Sequence, residues 1–254
     1  MSDAMDYSLF ADLYDAYVRS DLDVPFFLQE ARQVRGGVLE LMSGTGRVSL
    51  PLLEAGVNLT CVDASPDMLQ YLREKVLQRG LEARVEQMDV RELQLGGQFD
   101  LIFIPFHAFA ELHSREDQQR TLEKIHLHLS EEGTFICTLH NPAVRLNRVD
   151  GLLRLWANVP LDDLGGKLLV WGLETQDTNS ASVNGMQLFE VYDPNGLLET
   201  KRVVEYRFRI IERSEFETLA QASGFRVKKL YGDYAHSPFD ERSSPFMIWK
   251  LEKV

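Results

Sequence analysis

The chain has 254 residues, 44% of them hydrophobic and 26% charged, with a formal net charge of −12. That composition supplies a sizeable core and excludes wholesale disorder. The acidic balance argues against a sequence-independent grip on nucleic acid or anionic lipid, which needs clustered Lys and Arg. Cys61 and Cys137 each lie inside an apolar run, so they read as buried small hydrophobes of a reducing compartment, and no metal site is expected. The start "MSDAMDYSLF" carries acids and no basic segment, unlike a secretory leader, and no apolar run reaches bilayer-spanning length. The expected location is cytoplasmic, with no membrane partner.

Residues 6–33 place Leu9, Leu13 and Tyr17, then Phe26 and Phe27, at helical spacing. "VLELM" (38–42) reads as a buried strand, and "RVSLPLLEAG" (47–56) as a short helix ending at Gly56. "NLTCVD" (58–63) is a second strand. "SPDMLQYLREKVLQRG" (65–80) is a helix with Ser65 as N-cap, Pro66 at its first position and Gly80 as its stop. "ARVEQM" (83–88) and "QFDLIFIPF" (98–106) are further strands, the second apolar almost throughout, as a strand covered on both faces should be. "SREDQQRTLEKIHLHLSEEG" (114–133) reads as one helix, capped by Ser114 with Asp117 as reciprocal partner. "TFICTLH" (134–140) is a fifth strand. Strands alternating with helices predict right-handed crossovers and a mostly parallel sheet flanked by helices.

The second half departs from that rhythm. "LLRLWANV" (152–159), "KLLVWGLETQ" (167–176), "SVNGMQLFEVYD" (182–193) and "LLETKRVVEYRFRII" (197–211) are strand-like, with turn signals "DDLGG" and "DPNG" between them. They predict an inserted antiparallel sheet. Its Trp156, Trp171, Phe189, Tyr192, Tyr206 and Phe208 read as core. Lys201, Arg202, Arg207 and Arg209, broken by Glu199 and Glu205, read as the solvated face of a strand. The α/β rhythm returns with a helix "EFETLAQASG" (215–224) capped by Ser214, then strands "FRVKKLYG" (225–232) and "PFMIWKLEK" (245–253). The expected divisions are 1–142, N-terminal helices and an α/β core; 143–212, the inserted sheet; and 213–254, the closing elements of the core.

Gly44 and Gly46 stand between the first strand and a helix start, where a glycine turn presents backbone N–H groups and admits a ligand closely. Asp63 ends the next strand, where a carboxylate can accept from both hydroxyls of a ribose. Ser49 stands where the usual dinucleotide fingerprint has its third glycine, and Glu40 lies ahead of the turn. An acid there repels a pyrophosphate and favours an ammonium or a sulfonium.

"VLELMSGTGR", "VDASPDML", "VEQMDV", "FDLIFIPFHAF" and "LSEEGTFICTLHNP" resemble the successive motifs of class I S-adenosylmethionine-dependent methyltransferases, in their bacterial small-molecule branch. "SEFETLAQASGFRVKKLYGDY" resembles that family's closing helix–strand unit. The resemblance implies a Rossmann-like methyltransferase fold, S-adenosylmethionine as cofactor and a small-molecule acceptor, with no nucleic-acid partner. It implies that Glu40 orders the cofactor loop, that Gly44 and Gly46 face the methionyl part, that Asp63 holds the ribose, and that Arg47 and Ala64 are among the cofactor-binding residues. Met68 would pack near the nucleoside, and Asp89, between Met88 and Val90, would take the adenine amino group. Pro105 and Phe106 would border the sulfonium, and Tyr14 would close over the cofactor.

The chain departs from the family's pattern at His107, Glu111 and His140, so the acceptor pocket is rewritten. Methyl transfer is an in-line displacement that needs alignment and exclusion of water, and a base only when the acceptor arrives protonated. His107 and His140 each follow the end of a predicted strand, on neighbouring strands about 4.8 Å apart, and are the candidate catalytic residues. His126 and His128 read as structural. Transfer to a nitrogen or oxygen of a small molecule leads. A nucleic-acid or protein methyltransferase needs a basic groove beside the sulfonium, and a non-catalytic cofactor-binding protein sits poorly with intact Glu40, Asp63 and Asp89.

Overall fold

Strand β1 (Val38–Leu41) is buried along its whole length and pairs in parallel with β2 (Leu59–Asp63) on one side and β4 (Phe99–Ile104) on the other. In this computed structural model, which describes residues 5–161 and 165–254, β3 (Arg84–Gln87) extends the parallel ladder beyond β2, and β5 (Leu129–His140) extends it beyond β4. The closing strands β10 (Phe225–Tyr231) and β11 (Phe246–Lys253) are antiparallel, giving the order β10-β11-β5-β4-β1-β2-β3. "MSDA" at the start and the Asp162–Leu164 part of the "DDLGG" turn lie outside the described residues.

Both faces of this sheet are covered, as a parallel sheet requires. Leu39, Leu41, Ile102 and Ile104 pack under α5 (Arg115–His128) and α7 (Arg213–Ala222). Val38, Cys61, Leu101 and Phe103 pack under α2 (Val24–Ala31), α3 (Ser49–Glu54) and α4 (Pro66–Gln78). Ser65 caps α4 by accepting from the Met68 amide at 3.3 Å. Cys61 and Cys137 are buried free thiols. Among the described residues, no helix is long and apolar enough to cross a membrane.

The second sheet is antiparallel in the order β6 (Arg154–Leu161), β7 (Gly166–Asp177), β8 (Ser182–Tyr192) and β9 (Leu198–Arg209). Leu168, Val170, Phe189, Val191 and Val204 form one face of it, and α1 (Ala11–Tyr17) completes that small core with Phe10 and Leu13. Phe10 stacks on Phe189 with 5.0 Å between ring centroids, and Arg202 grips the Asp12 carboxylate. The inserted sheet thus carries the N-terminal segment on its inner face.

Several local readings change. The helix expected over 114–133 ends at His128, because Leu129 is fully buried and opposes Phe99, while Ser130 donates to Asp100 at 2.9 Å; "LSEEG" belongs to β5. Ser114 does cap α5, accepting from the Asp117 amide at 2.9 Å, but the Asp117 carboxylate turns to Arg91 at 3.4 Å instead of back to the cap. Ser214 lies inside the first turn of α7, whose N-cap is Glu212. The segment after residue 142 opens with a helical turn, α6 (Pro142–Arg145), before its sheet. Of the six aromatics read as core, Phe189 is fully buried, Trp156 is 43% exposed and the other four are half-buried. The basic residues of β9 are a solvated face only in part: Lys201 is exposed and pairs with Glu190 at 2.8 Å, whereas Arg209 is half-buried against Glu215 at 2.8 Å and Arg207 turns inward.

The shared core makes the inserted sheet dependent on the N-terminal segment. Phe189→Ala should lower the unfolding free energy in urea by about 3 kcal/mol or more, the range for deleting a buried phenyl group. It should also expose residues 7–17 to limited proteolysis, and the intact chain should not release 143–212 as a folded fragment.

Candidate active site

A cavity of about 810 Å³ opens at the carboxyl ends of β1, β2 and β4, where α/β sheets place their ligands. Gly44, in the left-handed region at φ 55°, gives its amide to Asp63 Oδ2 at 2.7 Å, and the Ser65 amide reaches Oδ1 at 2.8 Å. One carboxylate therefore fixes both the loop after β1 and the start of α4. Burial pushes the Asp63 pKa up, against these amide bonds, which lower it. Ala64 and Met68 continue this wall.

Gly46 does something else. At φ 88° it faces α4, and a Cβ there would meet Leu72 Cδ1 at 2.4 Å. Of the two glycines, Gly44 borders the cavity and Gly46 allows helix packing. Arg47 is also absent from the cavity wall. Its fork grips Asp23 (2.6 Å for one arm) and the Ser20 carbonyl (2.8 Å), and its guanidinium rests 4.5 Å over the Phe106 ring. Glu40 lies behind the loop, 1% exposed, accepting from Ser49 Oγ at 2.5 Å, and burial pushes its pKa up to about 8. It does not border the cavity.

Asp89 and Val90 form the far wall. The Asp89 carboxylate is already held by the Arg91 guanidinium at 2.6 Å and the Arg91 amide at 2.9 Å, which pulls its pKa down. Met88 is turned away: its sulfur accepts from the Gln94 amide at 3.1 Å, and its side chain packs on the core.

Pro105 and Phe106 border the cavity at the end of β4. Phe106 (φ 54°) and His107 (φ 64°) are consecutive non-glycine residues in the left-handed region, a strained turn of the kind concentrated at functional sites. The His107 amide donates to Thr138 Oγ1 at 3.2 Å, and its ring stacks on His140 with 3.6 Å between centroids. The histidines are brought together as their strand ends predict, yet neither lines the cavity. His140 borders a small recess with Arg145 and Phe208. Burial drives both pKa values down, His140 to about 3. Burial thus disfavours the charged form of both rings, and the stacked pair stands behind the Phe106–His107 turn. His128 is structural, as expected: its Nε2 accepts from the Leu95 amide at 2.9 Å.

Tyr14 lines the cavity, and with it come Glu111, noted in the sequence as a departure from the family's pattern, and Tyr7 and Arg207, neither of which the sequence marked as a site residue. Tyr7, in the 3₁₀ turn Tyr7–Leu9, donates its hydroxyl to Glu111 Oε1 at 2.8 Å. Burial pushes the Glu111 carboxyl up to about 7. Arg207 of β9 also reaches the wall. The signal for Glu111 was an acid inside "HAFAEL", between Phe109 and Leu112; for Arg207 no local signal exists.

Residues 38–133 match the family described as "Methyltransferase domain". A glycine/sarcosine N-methyltransferase from Halorhodospira halochloris is 34% identical over 134 residues, covering 51% of this chain and 50% of that protein. The chain thus spans about half the length of this curated relative. A cypemycin N-terminal methyltransferase from Streptomyces sp is 28% identical over 211 residues, covering 83% of this chain and 81% of that protein. An S-adenosylmethionine-dependent methyltransferase structure from Clostridium acetobutylicum ATCC 824 superposes with a TM-score of 0.81 at 20% identity, over 97% of this chain and 98% of that one. Residues 38–133 thus carry a methyltransferase domain, and these matches support a class I S-adenosylmethionine-dependent methyltransferase with S-adenosylmethionine as its cofactor.

The cavity fits that cofactor. Asp6, Asp63, Asp67, Asp89, Glu111 and Asp117 border it, against Arg91 and Arg207, so its field favours a sulfonium over a pyrophosphate. Asp63 keeps lone pairs for two hydroxyls beyond its amide bonds.

Glu40 yields a prediction in pH. Its folded pKa, about 8, lies above the ordinary 4.5, so the folded chain binds this proton more tightly than the unfolded chain. The associated stability is present below pH 4.5 and is lost as pH rises toward 8, with a slope of at most about 1.4 kcal/mol per pH unit. Urea titrations between pH 5 and 8 should show Glu40→Gln losing less stability with rising pH than the parent chain.

Proposed function

We propose that the chain methylates the nitrogen of a small amine. The single observation that carries this reading is Glu111, a buried carboxylate with its pKa near 7, standing in the same cavity as Pro105 and Phe106. An amine reaches an enzyme at neutral pH largely as an ammonium, with a pKa of about 10 for a lysine-like group. A base near 7 can take that proton inside a closed site, whereas an aliphatic hydroxyl is far too weak an acid for it. Two relatives support a nitrogen acceptor through their own names, the glycine/sarcosine and the cypemycin N-terminal enzymes.

Bound S-adenosylmethionine supplies an electrophilic methyl group on a sulfonium. The chain's residues supply position. Gly44 and Asp63 hold the ribose side, with Ala64, Met68 and Val90 around the nucleoside, and Asp89 serves the adenine edge once Arg91 yields. Pro105 and Phe106 border the reacting atoms, and Tyr14 covers them. Glu40 and Arg47 act from behind, holding the loop and the N-terminal segment. Tyr7 orients the Glu111 carboxylate, which accepts the proton that leaves the ammonium. The inserted sheet, through α1, closes the acceptor side and excludes water. The partner is a small molecule met in the cytoplasm.

Two substitutions separate the halves of this site. Glu111→Gln should lower kcat by about a hundredfold or more at neutral pH, with cofactor affinity unchanged. In the parent enzyme the rate should rise with pH through about 7 and level off, and Glu111→Gln should lack that limb. Asp63→Ala should do the reverse, weakening cofactor binding by about 1.5–3 kcal/mol in calorimetry, the scale of charge-assisted hydrogen bonds. Unchanged turnover in Glu111→Gln across this pH range would remove the base.

A further inference from the structure

Among the described residues, Arg207 is the arginine of the cavity wall that forms no ion pair, although Asp177, two serines away, feels its charge. The other, Arg91, is consumed by Asp89 at 2.6 Å and Asp117 at 3.4 Å. Among the described residues, no carboxylate lies within ion-pair distance of the Arg207 guanidinium. It is nevertheless held firmly from behind. Its Nε donates to Ser182 Oγ at 2.9 Å, Ser182 Oγ lies 2.7 Å from Ser180 Oγ, and Ser180 donates to Asp177 Oδ2 at 2.6 Å. The hydroxyls align as a one-way relay, each donating to the next and ending on a carboxylate. Ser182 is fully buried. The relay occupies Nε and leaves the two terminal nitrogens of the fork uncommitted, the pair that binds a carboxylate or phosphate in bidentate fashion.

An unpaired guanidinium in an otherwise acidic cavity needs a reason. Strand β9 packs against the 3₁₀ turn Ala108–Glu111, so Arg207 and Glu111 enter the cavity from touching elements. One offers a fixed positive fork, the other a proton-accepting carboxylate. We propose that the acceptor is an amine that also carries an oxyanion, and that Arg207 binds that oxyanion while the nitrogen faces Glu111. This rests on the amine-methylation reading above and adds the acceptor's second pole. The relay makes Ser182 a positioning residue, because it touches the guanidinium and not the ligand.

The test compares glycine and aminomethylphosphonate, which carry a carboxylate and a phosphonate, with ethylamine, which carries neither. Initial rates should favour the two oxyanion-bearing amines by about tenfold or more in kcat/KM, and the better of the two identifies the oxyanion. Arg207→Gln should erase that preference through KM, with kcat, cofactor affinity and ethylamine turnover unchanged. Arg207→Lys, which keeps a point charge, should retain part of the preference, and Ser182→Ala should raise KM less than Arg207→Gln does. If Arg207→Gln fails to fold, these two variants carry the comparison. Calorimetry of both oxyanion-bearing amines against enzyme saturated with S-adenosylhomocysteine reads the same contact without turnover, so a failure of methyl transfer is told apart from a failure of oxyanion binding. Equal kcat/KM for all three amines would overturn the proposal, as would cofactor affinity falling in step with acceptor KM in Arg207→Gln.

Discussion

The site depends on one carboxylate placed where three backbone paths meet. Asp63 ends β2, receives the Gly44 amide on one oxygen and the Ser65 amide on the other, and so sets the loop after β1 and the start of α4 together. Asp63 is the acceptor for both amides, and buried amides without acceptors are costly. The left-handed backbone at Gly44 is what turns its N–H toward Asp63. The parallel register of β1 and β2 brings the two strand ends level. Further bolts secure the loop from outside: Thr45 donates to Asp15 at 2.6 Å, and Arg47 grips Asp23. The N-terminal segment is thereby attached to the cofactor loop before any ligand arrives.

That arrangement gathers acids that burial would prefer to neutralise. Glu40 and Glu111 both have raised pKa values, and Asp63 is raised despite its amide partners. Keeping carboxylates in a desolvated cleft opposes stability, and structural carboxylates are normally paired. Here the uncompensated negative field is what a cationic cofactor would relieve. Glu40 lies behind the loop, where burial favours its protonated form. Its single hydrogen bond to Ser49 explains why the third glycine of a dinucleotide turn is a serine here: the hydroxyl satisfies an acid that a pyrophosphate site would not contain.

Much of this was legible in the sequence, because it is local. Apolar runs between turn residues gave the strands, Ser65 with Pro66 gave the start of α4, and the Gly44–Asp63 spacing gave the loop and its acid. The failures are tertiary. Nothing near Gly46 tells that Leu72 will pack against it, and nothing near Met88 tells that its sulfur will take the Gln94 amide. "LSEEG" has helical composition, yet burial of Leu129 opposite Phe99 draws it into β5. His107 and His140 follow strand ends as predicted, but two left-handed residues in succession rotate Phe106 into the cavity and His107 out of it. Arg207 was hidden by alternation, since a strand of mixed charge looks solvated until its partners are known.

The cavity wall also divides along the chain. Gly44, Asp63, Met68, Asp89 and Phe106 all fall inside residues 38–133, the range that matches the methyltransferase domain. Tyr7, Tyr14 and Arg207 fall outside it, on the N-terminal segment and the inserted sheet, which share a core through Phe10 and Phe189. Glu111 sits at the seam, inside the matched range but bonded to Tyr7 outside it. On the function proposed above, the first group would serve the cofactor and the second the acceptor, which leaves the second free to vary as long as α1 and the inserted sheet still fit each other. The stacking of Phe10 on Phe189 bears on the cavity from outside it, because Phe10 packs against Tyr7 at 5.4 Å and Tyr7 in turn bonds Glu111.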